Sequence, residues 1–153
     1  MVNFASQVIG NPAMRPVTIC FILLLTLCSW LAPRPAVAES LDLELNKIED
    51  GPQGCLATVL IGNHLGQTLE RFQLDLVLFN GKGVLSDRIL IDLAPLPRNR
   101  TTIASFPLHG GGCAEVSRIL LRDVPACRAQ GDKNMDCLST LAISTRTAIS
   151  FGK

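Results

Sequence analysis

Two stretches of alternating apolar and polar residues, joined by a glycine-rich turn, dominate the middle of the chain. Every second residue from Phe72 to Leu78 is apolar, and so is every second residue from Ile89 to Leu93. This period of two is typical of half-buried strands. Between them, Asn80–Gly83 reads Asn-Gly-Lys-Gly, and Asn-Gly favours a hairpin because both residues tolerate positive φ. The segment from Phe72 to Leu93 therefore predicts a β-hairpin.

Five further segments predict strands, each bounded by glycine, proline or short polar loops. They are Leu41–Asn46, Cys55–Ile61, Thr101–Leu108, Val116–Val124 and Leu141–Phe151. Seven short strands with turns between them predict an all-β fold, an immunoglobulin-like antiparallel β-sandwich. The alternative is a small closed β-barrel.

Three details of these strands are less regular. The apolar alternation slips between Ile103 and Phe106, which predicts a β-bulge there. Val116–Val124 also suits a short helix, but nine residues make a marginal helix, so a strand with a helical turn before it is favoured. The segment Pro125–Asp136 is predicted to be a loop, followed by one long final strand.

The N-terminal segment has the pattern of an export signal. Arg15 precedes an apolar run, Val17–Ala32, and Ala36–Ala38 reads Ala-Val-Ala. A basic residue, a short apolar core and a small-residue site predict a secretory signal peptide cleaved between Ala38 and Glu39. The run is shorter than the ~20 residues of a membrane-spanning helix, so no stable membrane insertion is expected after cleavage. Residues 1–38 are then the signal peptide and residues 39–153 a single domain, with translation starting at Met1 or Met14.

The composition of residues 39–153 excludes several classes of ligand. This part holds 12 basic and 13 acidic residues, a net charge of −1, so it lacks the basic excess of a nucleic-acid-binding domain. Its aromatic residues are four phenylalanines, without tryptophan or tyrosine. Stacking platforms for bases are therefore not expected.

Four cysteines follow the predicted cleavage site: Cys55, Cys113, Cys127 and Cys137. An even number in an exported chain indicates two disulfides, for which three pairings exist. If the seven strands alternate in direction, Cys55 and Cys113 lie at one end of the sandwich and the other two cysteines at the opposite end. Bridged Cα atoms must lie within ~7 Å, less than the length of one strand. Strand direction thus predicts Cys55–Cys113 and Cys127–Cys137.

The residue pattern predicts no catalytic, cofactor-binding or metal-binding residue. His109 begins a His-Gly-Gly-Gly run like the oxyanion motif of some esterases, but the chain lacks the nucleophile elbow of that chemistry. The two histidines, His64 and His109, are placed at opposite ends of the predicted sandwich. The alternative function is an envelope enzyme or metal handler that uses loop residues near His109, with Glu49 and Asp50 at the same end.

The sequence favours a non-enzymatic binding or interaction module whose partner is another envelope protein. Val77 and Phe79 lie on the face opposite the leucines of the hairpin, where they are either covered or form an exposed apolar patch for a partner. Arg118, Arg122 and Arg128 flank the sixth strand and suggest a small basic face, although solvated salt bridges explain them more simply. Exposed strand edges offer a further mode of binding.

Beyond these patterns, the chain resembles a family of small exported alphaproteobacterial proteins of unknown function, often labelled twin-arginine (Tat) pathway signal-sequence proteins. The resemblance rests on Leu41–Lys47, Cys55, Phe72–Phe79, Leu93–Pro97, Cys113, Asp123-Val124 and Cys127. It implies export to the periplasm or secretion; because Arg15 is followed by proline, the general secretory route is favoured here.

A looser resemblance, mostly in strand spacing, is to FxLYD-type immunoglobulin-like domains of bacterial envelopes. It rests on Asn63, Leu69, Leu74–Phe79, Gly83-Val84, Thr102 and Phe106. Neither resemblance implies a catalytic residue.

Overall fold

The computed structural model describes residues 39–109, 111–131 and 133–153. The predicted signal peptide, its cleavage site and the choice between Met1 and Met14 lie outside the described residues. One unit of the chain spans Ala38–Lys153.

Within the described residues, nine strands form two sheets. In chain order they are β1 (Leu41–Gly51), β2 (Gly54–Asn63), β3 (Leu69–Phe79), β4 (Leu85–Asp92), β5 (Arg100–His109), β6 (Arg118–Ala129), β7 (Lys133–Asn134), β8 (Leu141–Thr145) and β9 (Ser150–Gly152). A 3₁₀ turn at Cys113–Glu115 precedes β6, and a four-residue helix, α1 (Cys137–Thr140), precedes β8. The predicted helical turn before the sixth strand is therefore confirmed.

The strand order confirms the predicted sandwich and rules out the closed barrel. One sheet has the order β5-β2-β1-β8, and the other has β4-β3-β6, with β7 and β9 along the remaining edge of β6. The chain alternates between sheets after each hairpin, as in an immunoglobulin-like Greek key. Two neighbouring strand pairs, β1–β8 and β6–β9, are parallel, and the other pairs are antiparallel.

The core lies between the inner faces of the two sheets. Alternate residues of β1, β2 and β3 supply most of it, including Leu41, Ile61 and Phe72, which are fully buried. A corner at the end of β2 is held by a buried polar side chain. The Asn63 side chain donates to the carbonyls of Gln67 (3.1 Å) and Leu96 (2.9 Å), and accepts from the Leu65 amide (3.0 Å). Burial is tolerated because each polar atom has a partner.

The central hairpin is confirmed, but the turn works differently from the prediction. The side-chain oxygen of Asn80 accepts from the amides of Lys82 (3.0 Å) and Val84 (3.1 Å). Positive φ occurs at Gly83 (φ 74°) and not at the Asn-Gly pair. The turn is thus wider than a two-residue hairpin loop, and the β3–β4 register shifts beside it at Leu78/Phe79.

Three other strand predictions were wrong in detail. The β2–β5 register shifts at Cys55/Leu56, opposite the end of β5, and not between Ile103 and Phe106. β6 continues through Pro125 to Ala129, so the predicted loop there is shorter. The predicted final strand is two strands: β8 pairs with β1 in one sheet, and β9 pairs with β6 in the other. The alternation of apolar and polar residues is the same in both strands, because in each of them the odd-numbered residues face the core.

Candidate functional site

The disulfide pairing follows the strand directions as predicted. Cys55 and Cys113 are bonded, with Cα atoms 4.6 Å apart, and so are Cys127 and Cys137, with Cα atoms 6.2 Å apart. The two bonds lie at opposite ends of the sandwich, since Cys55 opens β2 and Cys127 pairs with Phe72 near the start of β3. Disulfides persist in oxidising compartments, so the fold indicates an environment outside the reducing cytoplasm.

Val77 and Phe79 do not form an exposed apolar patch. Val77 is only 5% exposed, between cross-strand neighbours Arg88 of β4 and Leu120 of β6. Phe79 is half-buried, and the Arg118 guanidinium lies 4.0 Å from the centre of its ring. Side chains of neighbouring strands, rather than a loop, therefore cover this face, and a partner surface at these two residues is not supported.

Next to Val77, the same outer face holds an ionic cluster that sequence patterning missed. Asp75 is 1% exposed although it alternates with the leucines that face the core. Arg88 donates to both of its carboxylate oxygens, from Nε to Oδ1 and from Nη2 to Oδ2, each at 2.8 Å. Arg122 donates from Nε to Oδ2 at 2.6 Å. Two guanidinium groups from the flanking strands thus shield one carboxylate from solvent.

These contacts determine the charge state of the cluster. The hydrogen bond from Arg88 holds the pKa of Asp75 below its ordinary value, aided by Arg122 and opposed by burial. Asp75 is therefore ionised at neutral pH and ties β3 to both neighbouring strands. The signal available in the sequence was a basic residue on each flanking strand, but the register that brings them to Asp75 depends on two bulges in β3–β6.

The predicted basic face at the sixth strand is divided among different contacts. Arg118 lies over the Phe79 ring, and Arg122 donates a hydrogen bond to Asp75. Arg128, near the other end of β6, is opposite Arg71 in the backbone register of β3 and β6. The three arginines consequently do not converge on one anion site.

Apolar exposure is concentrated at two strands on the same side of the sandwich. Among the described residues, the large hydrophobic side chains that are exposed are Val84, Leu85, Leu90 and Ile103. The first lies immediately before β4, the next two on β4, and the last on β5. Both strands are at the edge of their sheets, and a groove between them is lined from Ile91 to Pro95 and from Thr102 to Phe106. The two edge strands therefore lie on either side of one groove, and we call this part of the molecule the β4–β5 side.

The two strands of this side differ in how their edges are protected. Charges on an edge strand discourage pairing with a chain that does not carry complementary charges. β4 carries Asp87, Arg88 and Asp92. β5 is uncharged from Thr101 to Leu108, and Ile103 at its middle is 69% exposed. The opposite edges are short, with five residues in β8, two in β7 and three in β9.

The end of the sandwich proposed for alternative chemistry shows mainly structural contacts. In the sheet, Asp50 of β1 and His109 of β5 are the register partners of Cys55 on opposite sides of β2. The backbones of β1 and β5 are therefore about 10 Å apart, twice the spacing of neighbouring strands. The Asp50 side chain accepts from the Cys113 amide at 2.7 Å, and Glu49 pairs with Lys47 at 2.8 Å. The side chain of His109 is outside the described part. His64, at the other end of β2, pairs with Asp42 at 2.9 Å.

No group of three or more histidine, cysteine, aspartate or glutamate side chains within 39–109, 111–131 and 133–153 is arranged to hold a metal ion. In the same ranges, no helix has the length and apolar character needed to cross a membrane.

No known protein-family model, curated protein or solved structure matches this chain. The family resemblances given above therefore stay predictions, and function is inferred from the strands and side chains of this structure alone.

Proposed function

We propose that this chain is a non-enzymatic binding module of the bacterial cell envelope, exported to the periplasm or secreted after cleavage between Ala38 and Glu39. The apolar run ending in Ala-Val-Ala supports export. The two disulfides agree with an oxidising destination. The partner is another envelope protein, bound at the edge of β5.

The observation that carries the proposal is the uncharged open edge of β5. A strand at a sheet edge presents main-chain N–H and C=O groups to one side, and an extended segment of another protein can pair with them as an added strand. The uncharged part of β5, Thr101–Leu108, offers its main chain for such pairing except at Pro107, which has no N–H, and the pairing with β2 leaves the other edge of β5 free of sheet partners within the described residues. Exposed Ile103 adds an apolar contact at its centre.

The neighbouring side chains suit this mode of binding. On the outer face, Ile103 lies opposite Leu60, and Ser105 lies opposite Thr58, with their hydroxyl oxygens 2.8 Å apart. An added strand would continue this row of apolar and hydroxyl side chains. Charged residues are absent from this part of β5, so such a partner needs no compensating charge.

Site-specific photo-crosslinking in cells tests the proposal. A crosslinking residue at Thr101 or Ser105 should capture a partner of one discrete mass, and Ile103→Lys should reduce that product at least tenfold, because a lysine on an edge strand opposes strand addition. Leu90→Lys is the matched control, since Leu90 is 56% exposed on the other edge strand, and it should leave the product unchanged. An undiminished product with Ile103→Lys, or no product above that of a crosslinker on β8, would contradict the proposal.

A further inference from the structure

The edge of β4 has a charge pattern that is complementary to itself. Its outer-face residues are Arg88, Leu90 and Asp92, and its inner-face residues include Ile89 and Ile91, which pack partly against the core. Read from either end, the five residues Arg88–Asp92 place an isoleucine on each side of Leu90 and opposite charges at the two ends.

An antiparallel alignment of two copies centred on Leu90 uses this symmetry fully. Leu90 then faces Leu90 of the second copy, each Ile89 faces an Ile91, and each Arg88 faces an Asp92. Side chains directly opposite each other in an antiparallel pair lie on the same face and interact, so opposite charges there are favourable and like charges unfavourable.

Neighbouring registers lack this complementarity. Residues opposite each other must lie on the same face of the sheet, so their numbers differ by an even number. The two-fold axis therefore always passes through a residue of β4 and never between two residues. Centring on Arg88 places two arginines directly opposite each other. Centring on Ile89 places Asp87 against Ile91, and centring on Ile91 places Asp92 against Leu90. Within β4 (Leu85–Asp92), the register centred on Leu90 is the one that pairs charge with charge and apolar residue with apolar residue.

We propose that β4 is a homodimerisation strand, which joins two copies about a two-fold axis at Leu90 and makes one continuous sheet from β6 of one copy to β6 of the other. A two-fold interface uses the same patch on both copies and therefore requires self-complementarity of this kind. Pairing runs from Arg88 to Asp92, because β4 ends at Asp92 and the Ala94 amide beyond it already donates to the Asp92 side chain.

The charged ends are already oriented for this contact. Arg88 bonds to Asp75 through Nε and Nη2, yet 51% of its side chain remains exposed. The Asp92 carboxylate is positioned by Arg71 at 2.6 Å and by the amides of Phe72 and Ala94, both at 3.2 Å. Neither side chain has to be ordered on association, so the entropic cost of forming the cross-strand pairs is low.

Sedimentation of the purified full-length chain over a range of concentrations tests the dimer. The wild-type chain should approach twice the monomer mass as concentration rises, and Leu90→Lys, which places two lysines opposite each other, should lower the association constant at least tenfold. Ile103→Lys, equally exposed but on β5, should dimerise like the wild type. A wild-type chain that stays monomeric at its solubility limit, or a Leu90→Lys variant that dimerises normally, overturns the proposal.

A disulfide trap tests the register. Cα atoms of directly opposed residues in an antiparallel pair lie about 4.5–5.5 Å apart, within the range of a disulfide. Leu90→Cys should therefore give a covalent dimer on a non-reducing gel, whereas Leu85→Cys, similarly exposed but opposite Pro95 in this register, should not. Equal trapping by both variants overturns the register. Because the partner-capture experiment depends on Ile103 and this one on Leu90, failure of either proposal is distinguishable from failure of the other.

Discussion

The two disulfides close loops of very different length, which predicts unequal contributions to stability. The bonded cysteines are 58 residues apart in Cys55–Cys113 and 10 apart in Cys127–Cys137. In the chain-entropy model a crosslink restricts the unfolded chain more when its loop is longer, which gives about 4.2 kcal/mol for the first bond and about 2.7 kcal/mol for the second. The difference depends only on the ratio of loop lengths and amounts to about 1.6 kcal/mol.

Paired alanine variants measure these contributions without leaving free thiols. Cys55→Ala/Cys113→Ala removes the long-loop bond, and Cys127→Ala/Cys137→Ala removes the short-loop bond. Each pair includes a cysteine that is at most 1% exposed, so the loss of buried sulfur is similar in both and largely cancels in the comparison. For a domain of this size, 1 kcal/mol corresponds to roughly 4 °C, so the long-loop variant should melt about 6 °C below the short-loop variant.

Thermal melting gives the difference in melting temperature, and guanidinium unfolding at 25 °C gives the free energy of unfolding, extrapolated for the wild type and each variant with its own slope against denaturant. Equal losses, or a larger loss for the short-loop variant, would refute the entropic argument. Peptide mapping under non-reducing conditions is the control. The remaining bond must be found intact in each variant, since a reshuffled pairing would invalidate the comparison.

Two further predictions concern the buried polar side chains. Asp75→Asn should lower the free energy of unfolding at neutral pH. Because the folded-state pKa of Asp75 is lowered, its contribution is present above about pH 4 and disappears as pH falls through the folded-state value, so the wild type and the variant should converge in acid urea titrations. A gap that does not narrow at all as pH falls below about 4 would contradict this origin. Asn63→Ala should cost at least about 2 kcal/mol in denaturant unfolding, because it strands the buried Leu65 amide and Leu96 carbonyl. Asn46→Ala, at an exposed position, should change stability by less than about 0.5 kcal/mol, and a similar cost at both positions would refute the argument.

The local sequence pattern was sufficient to predict those features that depend only on residues near each other in the chain. The alternation from Phe72 to Leu78 and the breakers around Asn80 predicted the hairpin, since strand faces and turns are decided within a few residues. Strand direction then predicted the disulfide pairing, because a strand is longer than a disulfide can span. Both inferences need only the order of the strands and the reach of a covalent bond.

The local sequence pattern did not predict which side chains are buried on the outer face of the sheet. Asp75 alternates as a solvent-facing residue, yet Arg88 and Arg122 cover it from two other strands. Val77 is likewise buried by cross-strand neighbours rather than by a loop. Which side chains meet across strands depends on register, and bulges in β3–β6 shift that register without any mark in the local pattern.

By itself, the sequence determined the first six strands, the position of the central turn and the two disulfide pairings, because short-range alternation, breakers and chain reach need no knowledge of the sheet order. Only the tertiary structure decided which strands became edges. It split the final strand between the two sheets, and it left β4 and β5 with open edges on one side. An edge exists only when the order of strands within a sheet is known, and this order is set by contacts between residues far apart in the chain. The self-complementary run around Leu90 was present in the sequence throughout, but it acquired meaning as an interface only once β4 was found at an edge.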